Sequence, residues 1–224
     1  MRRLLLLVFL LGGTIYAFAG QEDFTFVGWS NGNWENGYPY VIEPTNGPPG
    51  LFYAVMCDDY GHSGMMGDEW TANITNLGSQ NISLTRFNNI PTPWALGALQ
   101  LYDEAGWILL QTLNVQNNQY MDMNFAVWNI FDPSAPCNNG CEAWIQMAEQ
   151  AAQNKFPDTD FNRVYVITPL NQHDPDPNSI QEFLYLGSDS GFPGEQNPGT
   201  TPEPGTLVLL GTGLAGVVGR KFWS

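Results

Sequence analysis

Basic residues collect where this chain is most apolar. Arg2 and Arg3 precede the run LLLLVFLLGG, and Arg220 and Lys221 follow the apolar run at 206–219. Between them only Arg86, Lys155 and Arg163 are basic, while all 22 acidic residues lie in that interval. The ends and the middle therefore face different solvents, and the middle alone has to build a conventional core. A surface so poor in cations has nothing to neutralise phosphates with, so nucleic acid is excluded as a partner. Sparse charge (13%), abundant aromatics (13%), 24 Gly and 16 Pro fit a loop-rich extracellular β domain better than a cytosolic helical enzyme.

The N-terminal MRRLLLLVFLLGGTIYAFAG has the basic start, apolar centre and small-residue exit of a secretory signal peptide. Ala17 and Ala19 frame the exit, which places cleavage after Ala19 and makes 1–19 the leader. The apolar run at 206–219 would span about 21 Å as a helix, against a hydrocarbon core of about 30 Å, and its glycines weaken it further. A basic pair directly after such a run is expected at a cytoplasmic membrane face. A short, weak span with a rigid Pro-containing segment before it behaves as a temporary anchor that an enzyme removes.

The segment PEPGTLVLLGTGLAGVVGRK closely resembles the PEP-CTERM sorting signal of Gram-negative bacteria. Pro202, Glu203 and Pro204 supply the motif, 206–219 the short membrane stretch, and Arg220 and Lys221 a reduced basic end. The resemblance implies recognition by exosortase, a membrane-embedded cysteine transpeptidase. It also implies delivery to the cell surface or the extracellular polysaccharide matrix, with the chain held transiently in the inner membrane through 206–219. The expected organisation is a leader (1–19), a β-rich extracellular domain (20–188), a Pro/Gly/Thr linker (189–201) and the sorting signal (202–224). The stretches MCDDYGHSGMMGDEWTANITNLG, YDEAGWILLQTL and NFAVWNIFDPS also resemble a core found among PEP-CTERM proteins of unassigned function.

Within the domain, EDFTFVGW, LFYAVMC and EWTANITNL read as strands, separated by Gly/Asn/Pro loops such as SNGNWENGYP and EPTNGPPG. The period then becomes helical. Ala95, Leu99, Tyr102, Gly106 and Leu110 share one face, and Tyr120, Met123, Val127 and Phe131 share another before Asp132-Pro133 ends it. CEAWIQMAEQAAQNKF makes a third helix, after which FNRVYVITPL and QEFLYLG return to strands. The fold class is α+β: a single β-rich domain with a central helical insertion, flanked by the signal peptide and the sorting segment.

Cysteine usage points to one local bridge. PCNNGC sets Cys137 and Cys141 around a tight turn, and an exported chain is expected to oxidise such a pair, although Cys57 is an alternative partner. Cys57 opens CDDYGHS, where Asp58, Asp59 and His62 follow closely, but no zinc-type spacing is present. The plainer reading is a strand ending in a buried cysteine, followed by an acidic loop. A sharper one comes from the thioester domains of surface adhesins, which join an early-strand Cys to a Gln ahead of a Trp-bearing helix. Cys57 and NFAVW resemble that pair, with Asn124 at the Gln position, one methylene shorter.

No GxSxG, HExxH, P-loop or dinucleotide fingerprint occurs. Asp58/Asp59 and Asp103/Glu104 could in principle flank a sugar, and NQHDPDPNS (171–179) has spaced acids that do not match a calcium loop. The expectation is a non-enzymatic protein with no catalytic residue, no metal and no cofactor. Its partners would be exosortase, the secretion machinery, the membrane before processing, and extracellular polysaccharide. Its role would be structural or interactive in an exopolysaccharide or biofilm layer, with a carbohydrate-binding or thioester-bearing adhesin as the alternative.

Overall fold

The computed structural model describes residues 20–29, 39–89, 96–137, 140–170 and 179–188. The leader, the 171–178 segment with His173, and everything from 189 onward, including Pro202, Glu203, Pro204, Arg220 and Lys221, lie outside the described residues. No helix among the described residues is long and apolar enough to cross a membrane.

Six strands form the framework: β1 (Gly20–Trp29), β2 (Tyr40–Pro44), β3 (Tyr53–Cys57), β4 (Glu69–Asn76), β5 (Val164–Pro169) and β6 (Phe183–Leu186). Their order around the sheet is β1-β2-β3-β6-β5-β4, antiparallel throughout and closed into a barrel. Closure pairs each of these strands on both sides, so among the described residues no sheet edge is left to recruit another chain. Three helices enter between β4 and β5: α1 (Ala98–Gln111), α2 (Tyr120–Phe131) and α3 (Cys141–Gln153). The β-rich domain with a central helical insertion is therefore the architecture observed.

The two kinds of strand pattern have two causes. β2 is buried at alternate positions, as befits a strand with the core on one side only. β5 is buried along its whole length because the helices cover its outer face. The barrel interior is aromatic, and Phe183 is its centre, with ring centroids 6.3 Å from Phe26, 5.8 Å from Tyr40 and 6.1 Å from Trp70. On the outer side Met56, Val164, Val166 and Leu184 meet Leu101, Ala105, Ile108, Met123 and Val127 of the helices. One sheet thus serves two cores.

Two features depart from the sequence reading. β2 was not expected, because its five residues sit between two Gly/Asn/Pro segments that read as one long break. Its Tyr40 and Ile42 are inward-facing neighbours of Phe26 and Trp29, which supply the pairing that local sequence does not advertise. The buried face of α1 is also wider than predicted. Tyr102 and Gly106 are buried as expected, but Leu101, Ala105, Ile108 and Leu109 replace the half-buried Leu99 and Leu110. The stripe rotates because α1 packs on both the sheet and its helical neighbours. Elsewhere local rules hold. Asp132 takes the extended backbone required before Pro133 and ends α2, and the Cys137–Cys141 disulfide pins the start of α3 with its Cα atoms 5.4 Å apart.

Replacing the central ring by Phe183→Ala should destabilise the protein by about 3–5 kcal/mol, since the closed barrel cannot collapse around the void. Urea titration of the full chain reads this directly, and a loss of less than about 1 kcal/mol would contradict the placement of Phe183 at the centre.

Candidate functional site

β3 ends at Cys57, and the next two residues leave the sheet without leaving the interior. Cys57, Asp58 and Asp59 are all buried. The acidic loop expected after Cys57 is corrected here: these acids are not solvated, because partners arrive from distant parts of the chain. Arg86, itself 2% exposed, pairs with Asp59 through Nη1 and donates from Nη2 to the Ile180 carbonyl at 2.9 Å. Its backbone N–H donates to Glu182 Oε2 at 2.8 Å. Glu182 also receives the Tyr102 hydroxyl at 2.5 Å and the Thr168 hydroxyl. His62 Nδ1 lies 2.8 Å from Asp59 Oδ1. One ionic and hydrogen-bonded cluster thus ties together the end of β3, the segments around Arg86 and Glu182, α1 and β5.

Asp58 is the unusual member. Neither of its carboxyl oxygens has a partner of hydrogen-bonding geometry, and it is fully buried. Burial first, then the charges of Glu182 and Asp59 and the closeness of the Glu182 carboxyl, push its pKa well above the usual carboxylate range, and Arg86 offsets only part of this. Burial raises Glu182 as well, while its bonds from Thr168, Tyr102 and the Arg86 N–H, together with the neighbouring Asp58 carboxyl, hold it down. Two carboxyls so placed oppose each other's ionisation, and Asp58 is the more strongly raised of the two.

Cys57 is the one free cysteine among the described residues. Its N–H donates to Asn124 Oδ1 of α2 at 3.2 Å, its thiol donates to the Asp59 carbonyl at 3.3 Å, and its sulfur accepts from the Asp59 N–H. The Asn124 amide nitrogen is buried without a partner. Burial, and after it the charges of Asp59 and Asp58, raise the thiol well above its ordinary value; the Trp128 indole and the Asp59 N–H work in the opposite direction. The strand cysteine and the helix asparagine singled out in the sequence are neighbours in the fold.

The other acid pair is not brought together. Asp103 and Glu104 are consecutive on α1, so they point to different sides. Asp103 lines a cavity of about 860 Å³ beside the end of α3, where burial, then the Glu104 charge, lifts its carboxyl to about 6. Glu104 lines a separate cavity of about 250 Å³ with Asn129, Ile145 and Glu149. Asp58 and Asp59 likewise turn to different partners, Glu182 and Arg86. Arg86, Tyr102, Thr168 and Glu182 were not foreseen as parts of any site. The available signal was Arg86, a rare base in an acidic domain and so a candidate for burial against acids.

Comparison with known proteins bears on the far end of the chain. Residues 200–221 match the family model of the PEP-CTERM protein-sorting motif. The chain carries a PEP-CTERM sorting motif. Its sorting motif spans the Pro-Glu-Pro, the apolar run and the basic pair that the sequence had singled out. No curated protein matches this PEP-CTERM chain. Among solved structures it is similar to the N-terminal thioester domain of a surface protein from Clostridium perfringens, at 13% identity and a TM-score of 0.45, covering 74% of this chain and 97% of that one.

The raised Asp58 pKa has a definite consequence for stability. The folded state holds a proton that the unfolded chain releases above about 4, so stability is greatest in acid and falls as pH rises toward the raised value. Asp58→Asn places a neutral amide beside Glu182 and removes that proton, so the variant should gain stability over the parent at pH 7–8 and lose the advantage near pH 4. Thermal melts across that range test it, and an advantage independent of pH would contradict the protonated Asp58.

Proposed function

We propose that this PEP-CTERM protein is a non-enzymatic surface or matrix protein, exported by its leader and processed by an exosortase at Pro202, Glu203 and Pro204. Segment 206–219 would hold it in the inner membrane until that step, and the domain would then serve a structural or interaction role in an exopolysaccharide layer. The observation that carries this reading is the sorting motif at 200–221, which follows a folded domain in the sequence. The non-enzymatic part is supported by the candidate acids, which turn away from one another and are occupied by Arg86, Glu182 and Gln100.

The test is the intact mass and C-terminal peptide map of the chain recovered from its host, with and without exosortase. The expected product lacks 1–19 and the residues beyond the Pro-Glu-Pro region, and Glu203→Ala should retain the tail. An identical, intact tail in both strains would overturn the sorting reading.

The contact of Cys57 with Asn124 favours a second reading, an adhesin with an internal thioester. In that reaction the Cys57 thiol attacks the Asn124 side-chain carbonyl, the new S–C bond replaces the C–N bond, and ammonia leaves with the thiol proton. The raised thiol pKa works against it, because the thiolate is the nucleophile. The first reading predicts a Cys57 that alkylates once the chain is denatured, and a mass reduced only by disulfide formation. A further deficit of about 17 mass units, abolished by amine treatment, would establish the thioester instead.

A further inference from the structure

The larger cavity lies away from the Cys57 cluster, between the start of α1, the end of α3 and the turns at 77–80 and 161–163. Its volume of about 860 Å³ falls within the ~300–1,000 Å³ of sites that enclose small ligands. Four side-chain amides line it, from Gln80, Gln100, Gln153 and Asn162, together with the rings of Phe156 and Phe161, which meet edge to face at 5.3 Å. Gln100 is held by Glu104 at 2.9 Å and Asn162 by Asp160 at 3.0 Å, so two of the amides are oriented in advance. Gly78 lies so close to the Asn162 amide oxygen that a Cβ there would fall 2.2 Å from it, which fixes that wall further.

The backbone around the cavity is strained. Among the described residues, all four non-glycine positions with positive φ gather here: Gln80, Lys155 and Phe156 line the cavity, and Asp158 stands between Phe156 and Thr159 of its wall. Lys155 occupies the position that closes α3. Its N–H bonds the Ala152 carbonyl at 2.9 Å, and the Phe156 N–H bonds the Ala151 carbonyl at 2.7 Å. Glycine is the usual residue there because it adopts φ 57° without strain. The chain instead keeps a lysine and then a phenylalanine, both directed at the cavity. Strain of this kind concentrates where side chains are needed for function.

We propose that this cleft binds a neutral oligosaccharide. Amides both donate and accept, as sugar hydroxyls do, and the two rings offer an apolar face to a pyranose. A polyanion is disfavoured, since Lys155 is offset by Asp103 in the same wall and the chain carries a net charge of −15. A peptide in strand form has no sheet edge to join, because the barrel is closed. The proposal deepens the interaction role proposed above and rests on it for the setting in which a polysaccharide is met.

The experiment is titration calorimetry of the exported full-length chain with three neutral hexasaccharides (cello-, isomalto- and N-acetylchito-) and with an oligogalacturonate as the anionic probe. At least one neutral probe should bind and the galacturonate should not. The exposed Gln153→Ala should weaken binding by about tenfold while leaving the melting temperature unchanged. Lys155→Gly should raise the melting temperature by relieving the strain and, in the same protein, weaken binding several-fold. Absence of heat with every neutral probe, or affinities untouched by both variants, would overturn the cleft. Sorting is scored separately by the C-terminal map, so an unprocessed tail with intact sugar binding would sink the surface reading alone.

Discussion

The Arg86 guanidinium is the tie between the two cores of this domain. It is anchored at both ends of its reach, to Asp59 just past β3 and to the backbone of Ile180 just before β6. Glu182, which accepts from the backbone N–H of Arg86, links the same residue to Tyr102 on α1 and Thr168 on β5. Hydrophobic burial alone would hold helices against a sheet without fixing their position, because apolar contact has no direction. The cluster supplies the direction, since the bonds to Asp59, Ile180 and Glu182 each require a set geometry. Removing the guanidinium would leave buried acids without their counter-charge, a larger penalty than the pair's net worth when intact.

Where the sequence was legible, the reason was local. Apolar residues alternate in the sequence of β1 (Phe24, Phe26) and β4 (Trp70, Ala72, Ile74), α2 stops at Asp132-Pro133, and the four-residue spacing of Cys137 and Cys141 closes a bridge within one turn. Where it was not, the determining partner was remote. β2 is specified by pairing with Phe26 and Tyr53, not by its own five residues. The acids after Cys57 read as solvated because Arg86, 27 positions on from Asp59, and Glu182, beyond the helices, do not appear in any local window. The candidate cleft was hidden for the same reason: its amides come from four separate segments, and its left-handed backbone is no property of Lys-Phe as a dipeptide.

The neighbourhood of Cys57 and Asn124 shows how a pattern can fix packing without fixing chemistry. The sequence links a strand cysteine to a helix that carries Asn124 and Trp128, and the fold does bring them together. The asparagine carbonyl, however, accepts a bond from the Cys57 backbone, an ordinary way to fasten a helix to the end of a strand. The thiol is engaged with Asp59 and kept protonated by burial and by two acids. Every interaction around the sulfur is one that a structural cysteine uses.

Charge placement draws the domain and its address together. Of the three bases between the two apolar ends, Arg86 is spent inside on the acid cluster and Lys155 stands at the cleft wall. Arg163 apart, the rest of the surface is left acidic, which repels polyanions and anionic membrane. A protein of this kind does not hold its place at a cell surface through electrostatic attraction. The proposed surface role would call for an address in the sequence and a partner recognised through neutral hydrogen bonding. The PEP-CTERM motif supplies the first, and the amide-lined cleft, set in backbone that glycine would have relaxed, has the chemistry for the second.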